Sequence, residues 1–202
     1  MAKAPIYGGV EMRIAAVLGP DAALGIHRRL AAHTFVEVAA VVDLGIDAEV
    51  RVNPDSHADD ARTWVPPPIR VRAQGPGGLG ERLRRAFDEG FAEGAERIVV
   101  IGTDCPACTR RHAADAFAAL AHADLVLGPA TDGGYWLLGA RAPTPDVFDG
   151  VPWSSAGVLA ATRARAQAAS LQVYELETLA HVDTVEDLER LRKSPFGQDF
   201  RA

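Results

Sequence analysis

A chain of 202 residues, 48% hydrophobic and 24% charged, is long enough to bury a sizeable core as one α/β domain, residues 1 to 202, without disulfide help. Its net charge of −6, from 27 acidic and 21 basic residues, argues against a nucleic-acid-binding face. No stretch approaches the roughly 18 consecutive apolar residues of a membrane span, and MAKAPIYGGVEMR lacks the apolar core of a secretory signal, so a cytoplasmic protein is expected.

The chain opens on KAPIYGGVEMR, residues 3 to 13, a loop whose two glycines allow close backbone approach and whose Arg13 can meet a phosphate. So few residues precede it that a first strand is expected to be truncated. Pro20 then opens a helix running to about residue 40, with Leu24, Ala31, Phe35, Val38 and Val42 at helical spacing. His27 falls on the same stripe, where a core or boundary role is the expectation. A short strand at 47 to 52, a stiff VPPPI connector at 65 to 69 and the strand IRVRA follow. QGPGGLGERLRRAFDEGF reads as a glycine-rich loop and then a helix with Leu79, Leu83, Ala86, Phe87 and Phe91 on one side.

Residues 97 to 103 form a strand of the continuously apolar kind found in buried parallel sheets. Next comes TDCPAC, with both cysteines of the chain, Cys105 and Cys108, before a helix capped by Thr109 and facing inward through Ala113, Ala116, Phe117 and Leu120. DLVLGPA at 124 to 130 is another strand, TDGGYWLLGA at 131 to 140 a turn and strand, and 156 to 169 an alanine-rich helix. LQVYEL is a last strand and TVEDLERLRK a last helix, with Thr184 and Asp187 spaced as a capping box. Strands and helices alternating at this spacing predict a mostly parallel sheet wrapped on both faces.

In open α/β sheets ligands collect beyond the carboxyl ends of the strands, among free backbone groups and helix N-termini. Asp104 lies at such an end, directly after Ile98 to Ile101, where an unpaired charge is expensive. It is either a capping or turn residue or an oxygen ligand for Mg²⁺ or Mn²⁺. Asp132, in a sharp glycine turn, and Asp183, just before the last helix, bring the total to three carboxylates at strand ends. A metal-assisted phosphate site accounts for all three. The C-P-A-C pair also fits a thiol redox couple, or a zinc site with His112, although a structural zinc site requires four ligands.

The run from IGTDCP through GPATDGGYWLLGA, then VFDGVPWSS and HVDTVEDL, resembles a bacterial family of small glycosyltransferases with the GT-A, nucleotide-diphospho-sugar transferase fold, often assigned to arsenosugar biosynthesis. The resemblance implies a single Rossmann-like three-layer α/β sandwich, a nucleoside-diphosphate-sugar donor, a small-molecule acceptor and a divalent metal. It would put phosphate and nucleotide at Lys3, Pro5, Gly8 and Arg13, and base or ribose at Gln74 and Gly80. Asp104 would take the metal with Asp183. Asp132, a candidate to orient or deprotonate the acceptor, would line the sugar or acceptor pocket with Gly133, Gly134, Tyr135 and Trp136, walled by Trp153 and Ser154. The same fold and Asp104/Asp183 pair would also serve a nucleotidyltransferase releasing pyrophosphate, or a relative that only binds nucleotide. Two departures stand out: Glu11 and Met12 precede Arg13 where relatives carry lysine and threonine, and Gly78 replaces a frequent aspartate. At ~4 Å and an effective dielectric near 20, one unit charge is on the order of 4 kcal/mol, so the sign change at Glu11 bears directly on donor binding.

Overall fold

β1 (Ala2–Lys3) is a two-residue strand paired in parallel with β2 (Glu49–Asn53), and β2 pairs in parallel with β3 (Arg70–Ala73). The short first strand expected from the sequence is therefore present. The structure, a computed structural model, describes residues 1–200. Its contacts divide the chain into two compact units: residues 1–73, 102–110 and 180 onward, and residues 74–101 with 111–179.

The first unit is built on the three-stranded sheet β1-β2-β3 and on α2 (Pro20–Val42), which starts, as expected, with proline in its first turn. Ala23, Ile26, His27, Leu30, Ala31, Thr34, Phe35 and Val41 are its buried positions, and from Ala23 to Phe35 they recur at three- and four-residue spacings that keep one face covered. Two cores share that face. Ala31 and Phe35 pack with Val50, Val52 and Ile69, where the Phe35 and Trp64 rings lie 5.7 Å apart. Ile26 and Leu30 pack with Ile14, Val182, Leu188 and Phe200. Each fully buried aliphatic side chain of this kind contributes about 1.5–3 kcal/mol. Ile14 belongs to α1 (Met12–Leu18), a helix unforeseen in the sequence because seven residues burying one side chain carry no readable period. The unit closes with α6 (Val185–Lys193), where Thr184 and Asp187 form the expected reciprocal cap: Oγ1 of Thr184 accepts from the Asp187 N–H, and Oδ2 of Asp187 from the Thr184 N–H.

The second unit carries a four-stranded sheet, ordered β4 (Arg97–Ile101), β6 (Tyr135–Arg141), β5 (Leu125–Pro129), β7 (Val173–Glu175). Around it in sequence lie α3 (Leu79–Ala92), α4 (Arg110–Ala119) and α5 (Val158–Ala168). All five residues of β5 are buried, as suits a strand covered on both faces. β6 runs antiparallel to both neighbours, while β5 and β7 are parallel. Parallel pairing thus accounts for three of the five strand pairs, two in the first sheet and one in the second. β4 corrects one expectation: it is antiparallel, and four of its five residues are half-buried. An apolar run records that a strand is covered, not which way its neighbour points. No helix among the described residues is long and apolar enough to cross a membrane.

Candidate functional site

Asp104 sits in the segment Gly102–Arg110 of the first unit, and three ties position that segment. The Asp104 carbonyl accepts the Val182 N–H at 2.8 Å. From α2, His33 Nε2 bonds the Pro106 carbonyl at 2.9 Å, and Glu37 Oε2 accepts the Arg110 N–H at 2.7 Å. A Cβ on Gly102 would come within 2.5 Å of Asp104 Oδ1, so glycine there lets the carboxylate fold back along its own chain.

The tie to Val182 brings Asp104 beside Asp183. Burial first, and the Asp104 charge second, raise the Asp183 carboxyl above its ordinary range; His181 and Arg13 pull it down, and Glu11 pushes it up. Arg13 Nη1 lies 3.5 Å from Asp183 Oδ2, a pair worth under about 1 kcal/mol because the arginine is largely exposed. A ring nitrogen of His181 lies within 4.8 Å of an Asp183 oxygen. Sequence reasoning missed His181, yet the signal was there: in HVDTVEDL it stands two residues before Asp183, the spacing that puts extended-chain side chains on one side.

The loop from Lys3 to Arg13 belongs to the same unit. Gly8 has φ 68°, a conformation glycine adopts without strain. Glu11, which precedes α1, is also left-handed, with φ 48° and ψ 49°, and there a side chain costs about 1–2 kcal/mol. Its carboxylate Oε1 lies 2.9 Å from His27 Nδ1, and His27 Nε2 lies 3.0 Å from the Lys3 carbonyl. His27 is buried, as its stripe position implied, but hydrogen-bonded at both nitrogens. A cavity of about 370 Å³ adjoins this network, lined by Lys3, Pro5, His27, Arg28, Phe35 and Trp64 among others. Lys3, Pro5, Gly8, Arg13, Asp104 and Asp183 thus all fall in the first unit.

The remaining candidates fall in the second unit. Gln74 is buried, and its carbonyl accepts Arg85 Nη1 at 2.9 Å. Gly80 is buried against Trp153, whose Cε2 a Cβ would approach to 2.6 Å, so this glycine makes room for an indole. Gly78 donates its N–H to Glu81 Oε2 at 2.8 Å, and the first turn of α3 is thereby capped by its own carboxylate. Asp132 Oδ1 accepts the Gly134 N–H at 2.9 Å, holding the turn in which Gly133 has φ 88°. Tyr135 meets Trp153 edge-on at 6.4 Å, and burial pushes its phenol, directed toward Thr162, above the ordinary range. Trp136 points the other way, into the core, with 1% exposure and its Nε1 donating to the Glu177 carbonyl at 3.2 Å. Ser154 adopts φ 62°, a strained conformation beside Trp153.

Cys105 and Cys108 are both buried, and the Cys108 N–H donates to the Cys105 carbonyl at 3.0 Å. Burial raises both thiols, Cys108 to about 12 with Glu37 adding to the effect, and Cys105 further still with Cys108 and Asp104 adding. A dithiol couple needs a lowered, accessible thiol. We expect a thiol reagent to label both cysteines only after unfolding; a disulfide that forms and reverses readily in the folded protein would contradict this.

A family profile described as "Uncharacterized protein conserved in bacteria (DUF2064)" matches residues 36–155. A crystal structure from Desulfovibrio desulfuricans, of a protein provisionally named a nucleotide-diphospho-sugar transferase, superimposes with a TM-score of 0.90 at 32% identity, over 99% of this chain and 91% of that one. A second structure, from Mycobacterium sp. strain JC1 and homologous to a Mycobacterium tuberculosis protein, shares the fold with a TM-score of 0.53 at 19% identity, over 99% and 95% of the two chains. No curated protein sequence matches the chain.

Proposed function

The chain belongs to the DUF2064 family of proteins conserved in bacteria, and on that premise we propose that it is a metal-dependent transferase of the GT-A nucleotide-diphospho-sugar superfamily. It moves a sugar from a nucleoside-diphosphate sugar to a small acceptor, in the cytoplasm, as one domain spanning residues 1 to 202.

The observation that carries this reading is the pairing of two carboxylates, Asp104 and Asp183, through the Val182 N–H donated to the Asp104 carbonyl, with a His181 ring nitrogen within 4.8 Å of an Asp183 oxygen. Such a pair is stabilised by a cation, and hard carboxylate oxygens suit Mg²⁺ or Mn²⁺; His181 would add an imidazole that Mn²⁺ accepts. Asp183 and His181, with ligand atoms within 4.8 Å of each other, suit such a metal, and Asp104 would hold it together with Asp183. When bound, the metal offsets the negative charge that builds on a leaving nucleoside diphosphate. Arg13, mostly exposed beside Asp183, is oriented to bind the diphosphate, with Lys3, Pro5 and Gly8 providing backbone and charge along it. In the second unit Gln74 and Gly80 serve the base and ribose, and Gly133, Gly134, Tyr135, Trp153 and Ser154 shape the sugar or acceptor pocket, with Trp136, turned into the core, holding β6 from its other face. Asp132 orients the acceptor hydroxyl and takes its proton.

A thermal-shift screen of nucleoside diphosphates with and without Mn²⁺ tests the reading. One diphosphate is expected to raise the melting temperature only when the metal is present. No shift with any base, or equal shifts with and without Mn²⁺, would sink the proposal. Pyrophosphate released from a nucleoside triphosphate and a sugar phosphate would instead identify a nucleotidyltransferase.

A further inference from the structure

We propose that His27 is a positioning residue that cancels the charge of Glu11, so that the loop from Lys3 to Arg13 presents no net negative group to an anionic donor. The inference rests on the reading of that loop as phosphate-binding. It follows from counting protons. His27 Nε2 lies 3.0 Å from the Lys3 carbonyl oxygen, which can only accept, so Nε2 carries a hydrogen. His27 Nδ1 lies 2.9 Å from Glu11 Oε1, and one hydrogen belongs between them as well. Either an imidazolium donates to a carboxylate, or a protonated Glu11 donates to a neutral ring. The pair is neutral in both cases.

The excluded alternative is a ring lone pair facing a carboxylate oxygen. With the two side chains only 4% and 12% exposed, little solvent is available to separate those acceptors. Backbone geometry supports the same assignment. The left-handed conformation of Glu11 turns its carboxylate onto α2, while Arg13, two residues on, stays 72% exposed beside Asp183. A strained residue persists where its surroundings hold it, and the His27 bond is such a hold. The same ring also ties the loop to the end of β1 through Lys3. An acidic residue in a phosphate loop is thereby made compatible with anion binding.

Calorimetry with inorganic pyrophosphate and Mn²⁺ tests this. His27→Gln, which leaves Glu11 charged, is expected to weaken binding about tenfold, and the double variant His27→Gln with Glu11→Gln to recover to within about threefold of the parent. Unchanged binding in His27→Gln overturns the proposal, as does a double variant no better than the single one, since either result would leave His27 with a packing role only. Nitrogen-15 spectra of the His27 ring give a second readout that needs neither a variant of His27 nor a ligand. A ring protonated at both nitrogens, or one protonated at Nε2 whose Nδ1 signal moves in Glu11→Gln, is expected; an Nε2-only ring indifferent to Glu11→Gln overturns the neutral pair. If the parent protein binds no pyrophosphate while the spectra show the neutral pair, the phosphate-loop reading fails and the Glu11–His27 assignment stands.

Discussion

Asp104→Asn is expected to abolish Mn²⁺-dependent binding of nucleoside diphosphates and, at the same time, to raise the melting temperature of the ligand-free protein at pH 7. The first effect follows from removing one of the two carboxylates of the proposed cation site. At ~5 Å and an effective dielectric near 20, a unit charge pair is on the order of 3 kcal/mol, more than a hundredfold in affinity. The second follows from Asp183, whose carboxyl is raised first by burial and then by Asp104. Below the ordinary carboxylate range both folded and unfolded chains hold the proton, and no penalty exists. As pH rises from that range to the raised value, the folded chain keeps a proton that the unfolded chain has lost, so stability falls and stays lower above the window. Asparagine at 104 removes part of that penalty. The variant should therefore melt above the parent at pH 7 and lose the margin in acid. Calorimetric titration with Mn²⁺ and a nucleoside diphosphate reads the first effect, and melts at the two pH values read the second; intact metal-dependent binding would remove Asp104 from the site.

Gly133→Ala is expected to be the most destabilising single-methyl change in the ATDGGYW turn. Gly133 has φ 88°, and a Cβ there would collide with the Ala156 carbonyl oxygen while lying 2.9 Å from the Ala156 carbonyl carbon and Cα. Those are backbone atoms that cannot rotate away; the Leu159 N–H, moreover, donates to the Gly133 carbonyl at 3.0 Å, fixing the turn to the start of α5. The left-handed conformation costs about 1–2 kcal/mol and the overlap about 1–3, so a loss near 3 kcal/mol is expected from a total stability of order 5–15. Gly134→Ala is the control: the nearest atoms to its new Cβ belong to the Asp132 carboxylate, at 3.2 Å, a side chain that can turn aside. Urea unfolding of the two variants checks the contrast, and a Gly133→Ala loss below about 1 kcal/mol would mean that the turn relaxes freely.

Much of this architecture was legible in the residues, and the gaps have physical causes. Pro20, the Thr184/Asp187 spacing and the alternation of apolar runs located α2, α6 and most strands, because capping and burial periods are local. Direction is not local: Ile98 to Ile101 fit a parallel or an antiparallel neighbour equally well, and β4 took the antiparallel one. Facing is ambiguous for the same reason. Tyr135 and Trp136 are adjacent on β6 and must point to opposite sides, but which side is core depends on what packs there. Asp104 and Asp183 were readable as strand-end carboxylates. His181 was readable too, from its place two residues before Asp183; the Glu11–His27 pair was not, since a buried histidine becomes informative only once its partners are known.

The 23 residues of α2 act as a ruler. His27 grips the loop from Lys3 to Arg13, while His33 and Glu37 grip the segment that carries Asp104. Ten residues separate the first grip from the last, about 15 Å along the axis, and each residue also turns the helix by roughly 100°. Adding or deleting a residue between His27 and His33 would shift one loop against the other and rotate its anchor off the face it grips. Solvent-facing side chains in that interval can therefore change at little cost, whereas its length has almost no freedom to change.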